Sequence, residues 1–225
     1  MRMIVYHGST SIIDLPILGK GKTTNDYGRG FYCTENPELA KEWACAKGSD
    51  GFANIYQLDL SGLRVLDLNS EEYGILTWLA ILARYRSYWE NGSISKEAKD
   101  YLKRNFFVSP EKYDIVRGYR ADDSYFTFAK NFVSNGISLE QLKKAMYLGA
   151  LGEQIVLKSE KAFKQIAYTG NLPAQSKRYT KQAKERDKEA RKIYQELSKD
   201  ATYSTGIFMI DIIREGMTAS DPRLQ

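Results

Sequence analysis

Apolar positions along the chain fall into short runs of two rhythms, one alternating and one of helical period, with polar punctuation between them. The opening run from Met1 to Tyr6 predicts a short strand that ends on His7 and Gly8, ahead of the polar turn "STS". Gly19 to Tyr27 has the Gly, Lys, Thr and Asn content of a mobile surface loop, and "GRGFYCT" then reads as a turn entering a second strand. Asn36 as cap, Pro37 at the first helical position and Leu39, Ala40, Trp43 and Ala44 on one face predict a helix that Gly48 can end. Strands are predicted from Asn54 to Leu60, where "NIYQLDL" alternates, and from Arg64 to Leu68. The run from Ile75 to Ala83 predicts a buried helix around Trp78, and Ser95 to about Arg104 a second helix.

The second half begins with "YDIVRGY", a strand from Tyr113 to Tyr119, after which Asp122 or Asp123 caps a helix that carries Phe126, Ala129 and Val133 and stops at Gly136. Ser138 with Gln141 makes a capping box for a helix with Leu139, Leu142, Ala145 and Met146 on its apolar face. Glu153 to Leu157 predicts a strand, and "QIAYTG" a weaker one ending at Gly170. Beyond Pro173 the apolar pattern thins to Ala183, Ala190, Ile193 and Leu197 along a long charged helix, and "GIFMIDII" predicts a closing apolar strand before ten unstructured residues. Strands in both halves without a regular βαβ rhythm predict an α+β fold, with a domain over residues 1–172 and a basic helical extension over 173–225 that ends in the C-terminal apolar strand.

Composition adds three constraints. A chain of 225 residues with 43% hydrophobic content can bury a sizeable core, and its longest apolar run is far shorter than the roughly 20 residues a membrane helix needs. With a start that reads straight into a strand, this predicts a cytoplasmic protein without a membrane partner. Cys33 and Cys45, without further ligand-type neighbours, read as reduced core thiols, so no metal site and no disulfide scaffold is expected. The net charge of +5 is local: Lys177 to Lys199 holds nine Lys and Arg against four Asp and Glu, and the rest of the chain is neutral. That segment is either a solvated charged helix, a contact for nucleic-acid backbone, or a face for a protein partner; Tyr179 and Tyr194 are too sparse for base stacking.

Candidate chemistry centres on two places. The single histidine, His7, is followed by Gly8, which removes a side chain where a ligand could approach the backbone, and by the hydroxyl of Ser9. Further on, "DYGRGFYCTENPELAKEWA" sets two glycines around Arg29 directly before Tyr32. It is neither a Rossmann turn nor a P-loop, since G-x-G-x-x-G and G-K-[ST] are both absent. On composition alone, Tyr32 and Trp43 read more readily as core aromatics than as ligand contacts.

"YHGS" followed some twenty residues later by "DYGRGFYCT" resembles the His and Tyr motifs of the ADP-ribosyltransferase superfamily, in the branch shared by diphtheria toxin and the poly(ADP-ribose) polymerases. Trp43 stands eleven positions beyond Tyr32, as does the second aromatic of those polymerases. The strings "GFYCT", "WA", "YDIVRGYRAD" and "QIVLKSEKA" are similar to those of an uncharacterised bacterial family in the same superfamily, over about three quarters of the chain.

The resemblance implies a pair of antiparallel sheets that form a central NAD⁺ cleft flanked by helices. It implies that His7 bonds the adenosine ribose, that the Gly8 backbone bonds the nicotinamide amide, and that Tyr32 stacks on the nicotinamide ring opposite Trp43. Arg29 is a candidate for the pyrophosphate. The third motif position is Glu153 by one alignment and Gln154 by another; strand alternation lets only one face the pocket, and Gln154 is favoured. In "YRADD", with Arg120, Asp122 and Asp123, the aspartates either cap the helix or Asp122 supplies the carboxylate that a pocket with Gln154 lacks, while Arg84 and Arg86 either serve NAD⁺ phosphate or the acceptor or pair with surface acids. The implied activity is mono-ADP-ribosyl transfer from NAD⁺ to a protein or nucleic-acid acceptor, with NAD⁺ glycohydrolysis as a variant, and a toxin role with a small neutralising protein. The rivals are a non-catalytic NAD⁺ or nucleotide-binding module and a nucleic-acid-binding protein with a vestigial pocket.

Overall fold

The computed structural model describes residues 1–70, 72–86, 93–121, 123–146, 152–197, 199 and 206–224. Its strands form two sheets. The first joins β1 (Arg2–Ser9), β3 (Gly51–Asp59) and β7 (Ile166–Ala174) in the order β1-β3-β7, all antiparallel. The second joins β2 (Phe31–Cys33), β6 (Glu153–Leu157), β5 (Ile115–Tyr119) and β4 (Val65–Asp67) in the order β2-β6-β5-β4. With several helices around them, the sheets make an α+β architecture.

Two antiparallel sheets were expected, and the second is instead mixed, because β4 runs parallel to β5. A parallel pair needs a long crossover, and here it contains α2 (Ile75–Tyr85) and α3 (Ser93–Asn105). The sheets meet where Tyr6 and Thr34 exchange backbone hydrogen bonds of 2.8 and 2.9 Å, so the edge strands β1 and β2 lie against each other.

Alternation along the strands sorts the side chains into two cores. Val5, Phe31, Cys33, Tyr56, Leu58, Ile155 and Leu157 fill the space between the sheets. Tyr32 and Val156, one position out of phase, face a larger core built on α2, whose residues from Leu76 to Ala83 are all buried. Helices α4 (Asp123–Val133) and α5 (Leu139–Met146) complete that core. The predicted capping box at the start of α5 is present: the Ser138 N–H donates to Gln141 Oε1 at 2.9 Å, and the Gln141 N–H to Ser138 Oγ at 3.2 Å. Asn36 likewise caps α1 (Pro37–Ala44), accepting from the Glu38 and Leu39 N–H groups at 2.9 and 3.2 Å. Both cysteines are buried and unpaired, as expected.

The C-terminal region departs from the sequence reading. "GIFMIDII" forms a helix where a strand was expected, α8 (Met209–Arg214) after α6 (Glu160–Lys164) and α7 (Ser176–Leu197). Met209 and Ile212, three apart, are its fully buried pair, and the Asp211 carboxylate accepts from the Phe208 N–H at 2.9 Å, which fixes the first turn. The final residues are also ordered: Met217 and Leu224 are buried, Tyr101 Oη donates to the Met217 carbonyl at 2.9 Å, and Pro222–Leu224 is a 3-10 turn. The weak strand expected at "QIAYTG" is the nine-residue β7, so residue 172 lies inside a strand. No helix among the described residues is long and apolar enough to cross a membrane.

Helix α7 docks on the body through residues that the charged pattern obscures. Tyr179 is buried and donates to Glu38 Oε2 at 3.0 Å, Ala190 is fully buried, and Tyr194 stacks on Phe128 with ring centroids 4.1 Å apart. Arg186 reaches Glu42 of α1 at 2.6 Å. Lys177, Lys181, Lys184 and Lys188 stay exposed along the outer side.

Candidate functional site

Where β1 and β2 converge, the sheets open into a cavity of about 660 Å³, within the range of small-molecule sites. Its lining includes His7 from β1, Tyr32 from β2, Trp43 from α1, Gln154 from β6 and Arg86 from the end of α2. Arg120 and Ala121, just past β5, add to it, and the segment of Ile13, Leu15, Pro16, Ile17 and Lys20 forms one wall. Of the side chains singled out from sequence, His7, Tyr32, Trp43, Gln154, Arg86 and Arg120 share this cavity, as does the backbone of Gly8.

His7 continues the face of β1 that holds Val5, and its ring stacks on Phe31 at 4.3 Å. Its Nδ1 lies 2.7 Å from the Tyr32 carbonyl, which can only accept, so Nδ1 carries the proton. Burial holds the imidazole pKa below its ordinary value, outweighing that backbone bond. The neutral ring therefore keeps Nε2 as an acceptor.

Tyr32 is fixed at its far end. Its hydroxyl donates to the Gly28 carbonyl at 2.6 Å and accepts from the Tyr27 N–H at 3.0 Å, which ties the glycine turn to the ring. Gly28 has φ +74°, the left-handed conformation that permits this turn. Lys158, its side chain only 2% exposed, closes the turn from behind by donating to the Tyr27 and Arg29 carbonyls at 2.7 and 2.6 Å and to Glu111 at 3.0 Å. Desolvation lowers the Lys158 pKa, and Glu111 opposes that shift.

Gln154 is buried on the lining, whereas Glu153 points away from the cavity. Glu153 accepts from Arg117 Nε at 2.5 Å and Asn69 Nδ2 at 2.7 Å, and Arg117 also reaches Glu35 at 3.1 Å. The alternation at the third motif position thus resolves to Gln154 as the inward residue. Asp122 lies outside the described residues.

Among the described residues, the carboxylate on the lining is Asp26, to which the sequence pattern assigns no role because it closes a loop that reads as solvated. It is buried, with Oδ1 accepting from Arg86 Nε and Nη2 at 2.8 and 2.6 Å. Its Oδ2 accepts from the Ala121 N–H at 2.9 Å and Gln154 Nε2 at 3.0 Å. The available signal was its place at the head of "DYGRGFY". Lys158, within "LKSEKA", likewise carries no sequence signal of its role.

Three sequence candidates sit off the lining. Ser9 Oγ bonds the Ser11 carbonyl and accepts from Asn54 Nδ2, so it is consumed in bracing the segment after β1. Arg29 is exposed and contributes its carbonyl to Lys158. Arg84 is exposed on the other side of the helix end from Arg86. Among the described residues, the cations that do reach the cavity are Lys20, Arg86 and Arg120, against the carboxylate of Asp26.

Gly8 serves packing first. A Cβ there would meet the Ala40 carbonyl at 2.0 Å and the Ala44 nitrogen at 2.8 Å, so the bare backbone admits α1 against β1 and thereby delivers Trp43. The Arg120 guanidinium lies 5.2 Å from the Trp43 ring centroid. Among the described residues, two buried polar atoms on these walls lack a protein partner, Trp43 Nε1 and Gln154 Oε1. Among the described residues, no group of His, Cys, Asp or Glu is arranged to hold a metal ion.

Residues 3–168 match the family described as "Protein of unknown function (DUF3990)", and the chain belongs to that family. Neither a curated protein nor a solved structure matches it.

Proposed function

We propose that the chain is a mono-ADP-ribosyltransferase that binds NAD⁺ in the cavity between the sheets and passes ADP-ribose to a protein or nucleic-acid acceptor. The observation that carries the reading is the convergence of His7, Tyr32, Trp43 and Gln154, from four separate elements, on one cavity. Each has chemistry suited to the task. The His7 Nε2 acceptor takes a ribose hydroxyl, and the faces of Tyr32 and Trp43 suit a flat cationic ring. Lys20, Arg86 and Arg120 make the walls cationic, as a pyrophosphate requires.

In the proposed reaction the bond between ribose C1′ and the nicotinamide nitrogen breaks, its electron pair leaves with nicotinamide, and an acceptor lone pair forms the new bond to C1′ while its proton passes to solvent. Gln154 orients the ribose by accepting a hydroxyl. As a neutral amide it offers neither a full negative charge to the developing cation nor a general base, so slow single transfers are expected rather than chain elongation. Incubation of the protein with labelled NAD⁺ and a cell lysate tests this. Labelled protein or nucleic acid with release of nicotinamide supports it; free ADP-ribose alone identifies a glycohydrolase; neither label nor nicotinamide refutes catalysis.

A second reading is favoured by one observation: among the described residues the carboxylate on the lining, Asp26, is already engaged by Arg86, the Ala121 N–H and Gln154. It makes the protein an NAD⁺-binding module without turnover. Calorimetry that finds NAD⁺ binding abolished in His7→Ala, with no nicotinamide released by the parent protein, selects it. A toxin role with a small neutralising protein belongs to the first reading and is tested by whether expression arrests growth in a His7-dependent way.

A further inference from the structure

The bond between Asp26 and Gln154 has a fixed polarity. A carboxylate only accepts, so the Gln154 amide must turn its Nε2 toward Asp26 Oδ2, 3.0 Å away, and its Oε1 in the opposite sense. That Oε1 is buried, without a protein partner among the described residues, on a side chain only 4% exposed at the cavity wall. Asp26 is itself held against rotation by Arg86 on one oxygen and the Ala121 N–H on the other. A buried acceptor left unmatched is costly, and a site that keeps one discriminates strongly for a ligand group able to donate to it.

We propose that Asp26 is a positioning residue that locks Gln154 as an obligate hydrogen-bond acceptor, so that the cavity selects a ligand presenting a hydroxyl donor at that point. The ligand class is a polyhydroxylated sugar nucleotide; that the hydroxyl belongs to the ribose of NAD⁺ rests on the function proposed above. The same geometry explains why position 154 carries an amide. A glutamate there would bring a second carboxylate to about 3.0 Å from Asp26, where both cannot ionise without repulsion. Gln154 and Asp26 are thus a matched pair, and the expected exchange is reciprocal. In Asp26→Asn the new amide keeps its oxygen for Arg86 and turns Nδ2 toward Gln154, which must invert and present a donor to the ligand. Adding Gln154→Glu supplies an acceptor to that Nδ2 and returns an acceptor oxygen to the cavity.

The test uses the full chain with D26N, Q154E, the D26N/Q154E double variant and Q154M, each followed by urea unfolding and by calorimetric titration with NAD⁺. D26N and Q154E are each expected to lose about tenfold to a hundredfold in NAD⁺ affinity, with the double variant tighter than either. D26N and the double variant lack the same acceptor for Ala121, and the urea midpoint of the double variant is expected above that of D26N because its carboxylate restores a negative charge beside Arg86. Q154M keeps Asp26 and about the same side-chain volume, and it removes the acceptor together with the Nε2 donor to Asp26, whose Oδ2 retains the Ala121 N–H, so a loss of about tenfold in affinity is expected there. Additive effects of the two exchanges on both affinity and midpoint overturn the pairing, and unchanged affinity in Q154M overturns the acceptor role. If the parent protein does not bind NAD⁺ at all, the proposed function and the ligand class fall together, while the urea midpoints still decide whether Asp26 and Gln154 are coupled.

Discussion

His7 donates through Nδ1 to the backbone carbonyl of Tyr32, 2.7 Å away, and this bond adds to the Tyr6–Thr34 bridge in joining the facing edges of the two sheets beside the cavity. It fixes the ring orientation and the tautomer together, and stacking on Phe31 holds the ring plane. The two residues that the sequence pairs by motif are therefore paired in space through a backbone atom of one of them.

The consequence for pH follows from burial. The His7 pKa is held below its ordinary value near 6.5, so the ring is neutral at pH 7 and stays so through mild acidification. Because the folded value is depressed relative to the unfolded one, His7 contributes stability that is present above the unfolded pKa and is lost as pH falls. NAD⁺ affinity is expected to be flat from about pH 8 to 6.5 and to fall below that as Nε2 takes a proton. Calorimetry across this range checks it, with the imidazole followed by NMR. An affinity that rises on acidification would contradict the neutral-acceptor role.

Gly8→Ala is expected to unfold or severely destabilise the protein before it affects any ligand. The added methyl would have to occupy space 2.0 Å from the Ala40 carbonyl, and relief requires α1 to move off β1, taking Trp43 with it. Overpacking of this kind costs about 1–3 kcal/mol or more. Urea unfolding measures it; a midpoint equal to that of the parent would show that α1 does not approach β1 this closely.

The sequence made local elements legible where cap and period agreed, as at Asn36 with Pro37 and at Ser138 with Gln141. It was less informative where an apolar run was short. "GIFMIDII" suits strand or helix alike, and only the burial of Met209 with Ile212 against the α2 core decides for helix. The mixed second sheet was hidden because no local pattern distinguishes a parallel partner from an antiparallel one. At the site, His7, Tyr32 and Trp43 stood out as motif residues. Asp26 did not, since a polar residue in a Gly- and Thr-rich loop reads as solvated until the chain places Arg86, 60 positions away, beside it. Gly8 carried a signal whose meaning changed: the absent side chain makes room for a helix.

Lys158 is expected to govern the order of the glycine turn beneath Tyr32. Its ammonium group is buried and shared between the Tyr27 and Arg29 carbonyls, so Lys158→Met leaves two carbonyls without their donor. A loss of about 1–3 kcal/mol is expected for the unsatisfied groups. Hydrogen exchange at Tyr27 to Gly30 should quicken more than exchange in β3, which does not touch this turn. Equal acceleration throughout would mean that Lys158 supports the whole fold and not the turn.

Whether the basic helix is an appendage or part of the body turns on Glu42 and Arg186. Glu42 lies on α1, beside Trp43, and its side chain is 5% exposed; Arg186 of α7 is 19% exposed and approaches it at 2.6 Å. Removing one partner of such a pair takes a nearly desolvated carboxylate away from its guanidinium, and the loss of a partner in such a place costs about 3–5 kcal/mol. Glu42→Ala is therefore expected to lower the urea midpoint strongly, whereas neutralising the exposed Lys181 should change it little. Since α1 also carries Trp43 to the cavity, Glu42→Ala should weaken NAD⁺ binding as well, although Glu42 is not on the cavity lining. A helix that merely trails behind the fold would give the opposite pattern, with the Glu42→Ala midpoint near that of the parent and NAD⁺ affinity intact.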